Sequence, residues 1–169
     1  TPIELENSTD MNDVNYPQFT DGLTFNNDIP ALLSGGLTFR PSEALQIGVS
    51  GNLYFDENAD WEGAEENVDN TWEFQTGIEY ALNEKFSLSA GYQHTESGAT
   101  KDYHSEMAFE LSADAIGGGG RLQLNEALAL ELGALYTIYH SVEDVMSPYG
   151  YSVTYEQTTW MVAFGLDYS

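Results

Sequence analysis

The sequence predicts an all-β protein, an antiparallel up-and-down transmembrane β-barrel with about seven strands in view, and three observations predict it. Apolar and polar residues alternate with a period of two over segments of about eleven residues, the length a tilted strand needs to cross a bilayer. A strand in a soluble sandwich is usually nearer five or six residues. Aromatic residues stand near both ends of these segments, where the interfaces of a membrane would hold them. Three short polar turns alternate with longer polar loops, the asymmetry of a barrel with tight turns on one rim and long loops on the other.

The pattern is clearest over residues 71–94. Trp72, Phe74, Thr76, Ile78, Tyr80 and Leu82 fall on one face of a strand, and Glu73, Gln75, Gly77, Glu79 and Ala81 on the other. After the turn Asn83-Glu84-Lys85 the alternation resumes, with Phe86, Leu88, Ala90 and Tyr92 against Ser87, Ser89, Gly91 and Gln93.

Taken in order, residues 1–28 are polar and acidic and read as a loop or N-terminal arm, with room for one strand within residues 15–25. Barrel strands are expected over residues 29–169. The first carries Ile29, Ala31, Leu33, Gly35, Leu37 and Phe39 on its apolar row and ends in a turn at Arg40-Pro41-Ser42-Glu43-Ala44. Proline has no N–H to give to a ladder, so Pro41 is expected to terminate it. The second strand sets Leu45, Ile47, Val49, Leu53 and Phe55 against Gln46, Gly48, Ser50, Asn52 and Tyr54. An acidic loop at 56–70 precedes the central hairpin, and a polar loop at 96–107 follows it. Next come a glycine-rich strand, whose Gly117, Gly119, Arg121 and Gln123 share a face, and a strand carrying Leu128, Leu130, Leu132, Tyr136 and Ile138 on its apolar row. A third long loop at 141–152 leads to the last strand, with Trp160, Val162, Phe164 and Leu166 opposite Met161, Ala163, Gly165 and Asp167.

The turns at Glu43, Glu84 and Glu126 recur every 41 or 42 residues, an internal repeat of one hairpin. Seven strands are an odd number, whereas single-chain bacterial barrels close with an even one. Either residues 15–25 supply an eighth strand or the chain is part of a larger barrel. The start, TPIELENS, has neither Met nor a charged, apolar leader, so the expectation is a removed signal or a piece of something longer.

Composition narrows the partners. With 28 acidic and 4 basic residues the formal charge is -24, which repels nucleic acid. Apolar residues at 41% and aromatic residues at 13% are too many for a disordered acidic chain, so the chain folds. Cysteine is absent, which excludes disulfides and thiolate metal sites. His94, His104 and His140 have no metal-ligand spacing. Four consecutive glycines, Gly117 to Gly120, are not followed by a lysine or a helical pattern, so they are strand glycines and not a phosphate loop. The carboxylates Asp56, Glu57, Asp60, Glu62, Glu65 and Glu66 sit in a polar loop with nothing to desolvate them for acid or base chemistry. Asp56, Asn58, Asp60 and Glu62 begin like a calcium loop, but Trp61 stands where that loop needs glycine and Asn67 where it needs its bidentate carboxylate. No catalytic residue, metal site or cofactor is assigned.

The apolar row faces lipid in this reading. The inward row then offers Tyr54, Gln75, Gln93, Leu135, Tyr139 and Met161 as lumen-lining residues, two of them apolar where a water-filled pore would favour charge. Arg40, Arg121, Glu79 and Asp167 are charged, inward and near the short-turn rim, so arginine-carboxylate pairing is expected there.

The segments NNDIPALLSGGLTFRPSEALQIG, YFDENADWEG, WEFQTGIEYALNEKFSLSAGYQHTESGATKDY and IGGGGRLQLNEALALELGALYTIYH, in that order and spacing, resemble the C-terminal half of the FadL/TodX outer-membrane transport family. The resemblance implies a monomeric fourteen-stranded barrel in the outer membrane of a Gram-negative bacterium, of which seven strands are the second half. It also implies passive uptake of hydrophobic compounds such as long-chain fatty acids, without a cofactor. Its surroundings would be the lipid bilayer and lipopolysaccharide, with divalent ions bridging protein carboxylates to lipopolysaccharide phosphates. Two alternatives compete on the residues alone. One is a small eight-stranded structural or adhesive barrel, which needs a strand within 15–25 paired with the last strand. The other is a soluble lipid-binding β-barrel, which needs the Trp72, Phe74 and Ile78 row turned inward.

Overall fold

The computed structural model describes residues 1–8, 20–104, 109–146 and 151–168. Its centre is one antiparallel sheet of seven long strands: β3 (Leu32–Ser42), β4 (Leu45–Tyr54), β5 (Trp72–Asn83), β6 (Phe86–Glu96), β7 (Ala113–Asn125), β8 (Leu128–Tyr139) and β11 (Thr158–Tyr168). Sequence neighbours pair throughout, in the order β11-β8-β7-β6-β5-β4-β3, which is an up-and-down meander. Two minor ribbons accompany it, β1 (Glu4–Glu6) with β2 (Thr24–Asn26), and β9 (Val142–Met146) with β10 (Tyr151–Tyr155).

Register confirms the two faces. Phe74 pairs with His94 and Ile78 with Ala90, while Gln75 pairs with Gln93 and Glu79 with Ser89. Directly opposed residues share a face, so each face is uniform across the sheet. The apolar face is bare: Leu37 is 83% exposed, Phe164 68% and Trp160 76%. Among the described residues no large side chain is fully buried, and within the seven strands only Ala113 and Ala129, each near a strand end, are buried. A soluble barrel closed on these strands would bury this row as its core, and no layer of the described residues covers it.

The three short turns are built alike. Each has two residues, Glu43-Ala44, Glu84-Lys85 and Glu126-Ala127, and each follows a register shift, at Phe39/Ser42, Ala81/Asn83 and Gln123/Asn125. A tight two-residue hairpin of the primed type needs positive φ, which none of these residues adopts. The bulge supplies the extra twist instead. Asn83 Oδ1 accepts from the N–H groups of Lys85 and Phe86, and Asn125 Oδ1 accepts from that of Ala127, holding the reversal.

Several elements differ from the sequence expectation. The first strand begins at Leu32 and not at Ile29, and it runs through Pro41 to Ser42. Pro41 is tolerated because β3 is an edge strand and the proline lies in the bulge, where no ladder partner needs its N–H. The arm at 1–28 contains the β1–β2 ribbon. Thr24–Asn26 pairs with Glu4–Glu6 and not with β11, so the described part of the expected eighth strand does not join the sheet; residues 15–19 lie outside the described residues. The third long loop contains the β9–β10 ribbon, which extends the β8–β11 hairpin beyond the rim; residues 147–150 of that loop, and 105–107 of the second, are outside the described residues.

The acidic loop is ordered as well, and not the free solvated chain expected of it. It forms two 3-10 turns, Asp56–Asn58 and Ala64–Asn67, and its carboxylates act as acceptors. The Thr71 N–H donates to Asp56, the Asn70 amide to Glu57, the Asn26 amide to Asp60 and the Asn26 N–H to Glu62. Glu65 accepts from the N–H groups of Trp61 and Gly63, and these backbone donors together with its own N–H hold its carboxyl below the usual carboxylate range. The Trp61 indole donates to the Asp28 carbonyl, fastening the loop to the arm.

Most of the buried side chains belong to this long-loop cap. Ala59, Val68, Leu111, Tyr155, Asp56 and His104 are each under a tenth exposed. The His104 ring stacks on Tyr155, which stacks on Phe109. Gly98 lets two loops meet: the Asp69 N–H donates to its carbonyl at 2.7 Å, and a Cβ at this position would lie 1.7 Å from the Asp69 carbonyl oxygen. Gly98→Ala is therefore expected to part the loops at a cost of about 1–3 kcal/mol. Limited proteolysis of the folded protein should show faster cleavage in the loop between β6 and β7, with strand content by circular dichroism unchanged.

Candidate functional site

The side of the sheet opposite the apolar row carries the candidate site, and its rows are read directly from the pairing. Nearest the long loops, Asn52, Glu73, Thr95, Ala113 and Tyr139 lie abreast on successive strands. The next row contains Ser50, Gln75, Gln93, Ala115 and Thr137. Then four glycines stand side by side, Gly48, Gly77, Gly91 and Gly117, followed on β8 and β11 by Leu135 and Met161. One row further, Gly119, Gly133 and Ala163 continue the band of small residues.

This arrangement makes an open groove of about 1030 Å³ along the inner face. Its floor is bare backbone where the glycines lie, because a residue without a side chain leaves its neighbours uncovered. A strand tolerates these glycines here because its ladder, and not its side chains, holds it in place. Leu135 and Met161 rise beside the floor and give the groove an apolar flank. Gly118 and Gly120 on the opposite face leave a second, apolar hollow between Leu88, Leu132 and Phe164, so that the wall is one backbone thick there.

A polar collar closes the long-loop end of the groove. Glu73 is its hub: one carboxylate oxygen accepts from the Asn52 amide at 2.7 Å, the Tyr54 hydroxyl at 3.3 Å and the Gln75 amide at 3.3 Å. The other accepts from the Gln93 amide at 3.3 Å and, at 3.5 Å, from the Thr95 hydroxyl. The Ser50 hydroxyl donates to Gln75, extending the collar to the next strand. At the opposite end, Arg121 on β7 bridges Glu131 on β8 and Asp167 on β11, tying the last three strands of the sheet together.

The six lumen candidates all fall on this face. Tyr54, Gln75 and Gln93 meet around Glu73; Leu135 and Met161 are register partners in the groove; Tyr139 stands in the Glu73 row, opposite Ala113. Among the four charged residues expected to pair, Arg121 and Asp167 do. Arg40 does not pair with a carboxylate: its Nε donates to the Gln46 side chain at 2.7 Å. The cause is register, since Glu79 lies across from Gln46 on the strand beyond, and the glutamine comes first.

Two features escaped sequence reading. Glu73 was legible as an inward residue, but its role as hub depends on pairing across three strands. The second lies on the apolar face near the long loops, where Asp114 accepts from the Tyr92 hydroxyl at 2.5 Å and contacts His94 Nδ1 at 2.9 Å and His140 Nε2 at 2.7 Å. Trp72 packs on His94 at 5.0 Å. A carboxylate in an apolar row needs such partners, and following the alternation back from Ile116 to Asp114 was the available signal.

A seven-stranded antiparallel meander, apolar on its outer face and glycine-floored with a polar collar on the inner one, defines a wall of a membrane β-barrel. The chain belongs to the family described as "Putative MetA-pathway of phenol degradation", whose sequence profile matches residues 26–155. It is a FadL-like family. Among solved structures, the chain is similar to a Pseudomonas aeruginosa FadL homologue, with a TM-score of 0.53 and 16% sequence identity. The match covers 85% of this chain and 36% of the other, so the chain spans about a third of the length of that relative. No curated protein matches the chain.

Arg121→Gln should lower the urea midpoint of the refolded protein, because it leaves Glu131 and Asp167 facing each other without their shared cation. Urea unfolding followed by tryptophan fluorescence checks this. The doubly neutral background Glu131→Gln/Asp167→Asn should absorb most of the loss.

Proposed function

We propose that the protein carries hydrophobic small molecules passively across the outer membrane of a Gram-negative bacterium, with the seven-stranded sheet forming one wall of a closed barrel. The observation that carries this reading is the groove on the inner face, floored by Gly91, Gly117, Gly119 and Gly133 and flanked by Leu135 and Met161. A bare floor presents no side chain to obstruct a ligand, and an apolar flank favours greasy solutes over water. Seven further strands, as in the fourteen-stranded barrel the sequence resemblance implies, would complete the lumen. The outer face would meet lipid and lipopolysaccharide, and the barrel would act as a monomer.

Two ligand classes fit a FadL-like family: long-chain fatty acids, from the sequence resemblance, and phenolic aromatics, from the family description. Both are hydrophobic, and neither requires energy to move down a gradient. Transport would consist of binding in the groove and release from it, with no covalent step.

Full-length protein in lipopolysaccharide-containing vesicles loaded with albumin as an acceptor provides the test. Uptake of radiolabelled 1-decanol is expected to exceed that of protein-free vesicles severalfold with no energy source supplied. Leu135→Lys/Met161→Lys should return it close to the protein-free rate. Equal uptake with and without the wild-type protein would contradict the proposal.

A further inference from the structure

The inner face carries four carboxylates, Glu73, Glu79, Glu131 and Asp167, against two guanidinium groups, Arg40 and Arg121. Arg121 is engaged by Glu131 and Asp167 together. Arg40 is bonded to Gln46 at the short-turn end, far along the strands from the collar. Glu73 therefore stands at the long-loop mouth of the groove with only neutral donors around it: Asn52, Tyr54, Gln75, Gln93 and Thr95. Donors engage both of its oxygens, and among the described residues it has no cationic partner. The acidic loop above adds Asp56, Glu57, Asp60, Glu62, Glu65, Glu66 and Asp69 along the approach, with no lysine or arginine among residues 56–71.

From this geometry we infer that Glu73 is a charge filter, and that the transported compounds are uncharged hydrophobic molecules such as alcohols and phenols in preference to carboxylates. This rests on the uptake reading given above and narrows it. An anion entering past the collar meets the Glu73 carboxylate at the mouth, before it reaches Glu79 and Glu131 on the lining of the groove, in surroundings less polar than bulk water. A neutral hydroxyl meets no such repulsion. At a separation of about 6 Å and an effective dielectric constant of about 40, the like-charge penalty corresponds to roughly tenfold discrimination. Specificity would thus come from repelling the wrong ligand as much as from binding the right one.

The test compares 1-decanol with decanoate, matched in chain length so that the apolar contribution cancels, in the albumin-loaded lipopolysaccharide vesicles at pH 7.5. Wild-type full-length protein should pass decanol at least several times faster than decanoate, each corrected for protein-free leakage. Glu73→Gln, which keeps the shape of the collar but removes its charge and turns one acceptor oxygen into a donor NH2, should raise the decanoate-to-decanol flux ratio roughly tenfold. Glu73→Asp should restore the wild-type ratio. A folding defect would lower both fluxes together, so the ratio reads charge and not fold. If both probes pass equally through the wild type, or if Glu73→Gln leaves the ratio unchanged, the filter is overturned and the uptake reading stands. If neither probe passes faster than in protein-free vesicles, the uptake reading falls and takes the filter with it.

Discussion

Everything in this fold depends on one constraint: a sheet whose ladder satisfies its own backbone, and whose side chains alternate, must have a different solvent on each face. The ladder runs unbroken from β3 to β11 through strands of ten to thirteen residues. From β4 to β8 the backbone groups are paired with neighbours on both sides, the condition for a strand to enter hydrocarbon, while β3 and β11 each pair on one side. The outer row has no protein cover, and residues such as Leu37, Trp160 and Phe164 stand out from it. A hydrocarbon solvent turns that exposure from a liability into the source of stability.

Once lipid covers one face, the inner face is freed from the need to form a core. That freedom explains the glycines. In a soluble sheet four abreast would forfeit packing; here no layer of the described residues packs over Gly48, Gly77, Gly91 and Gly117. Networks of polar groups flank the bare band, the Glu73 collar at one end and the Arg121 clamp at the other, with Glu79 beside it on β5. Burial of the ordinary kind is moved out of the sheet into the cap, where His104, Tyr155, Leu111 and Val68 pack beneath ordered loops. The cap and the sheet thus obey different rules within one chain.

Much of this was legible in the sequence, for a physical reason. In β5 to β8 every second residue reports its solvent, so strand existence, face and turn position all follow from alternation. The repeat of Glu43, Glu84 and Glu126 marked three turns that prove to share one bulged construction. Alternation fails where a segment has no two-solvent environment. The β9–β10 ribbon, with polar and apolar residues mixed along Val142–Met146, and the ordered acidic loop are held by pairing and by side-chain acceptors, which leave no periodic trace. Pro41 misled because a general rule about ladders has an exception at edges, and an edge is a property of the whole sheet. The site divided in the same way. Which residues face inward was readable, including Gln75, Gln93, Leu135 and Met161, but the convergence of five donors on Glu73 required cross-strand register.

Contact between lipid and the apolar row is read most directly by nitroxide labels. Single cysteines at Phe74, Leu88 and Phe164, and at Gln75, Ser89 and Gly165, would be labelled in the full-length protein reconstituted in liposomes. Collision with oxygen, which concentrates in hydrocarbon, is then compared with collision with a water-soluble nickel chelate. The first three sites should favour oxygen and the second three the chelate, alternating residue by residue along each strand. If the first three were shielded from both reagents, or reached chiefly by the chelate, the row would face protein or water and the account would be wrong.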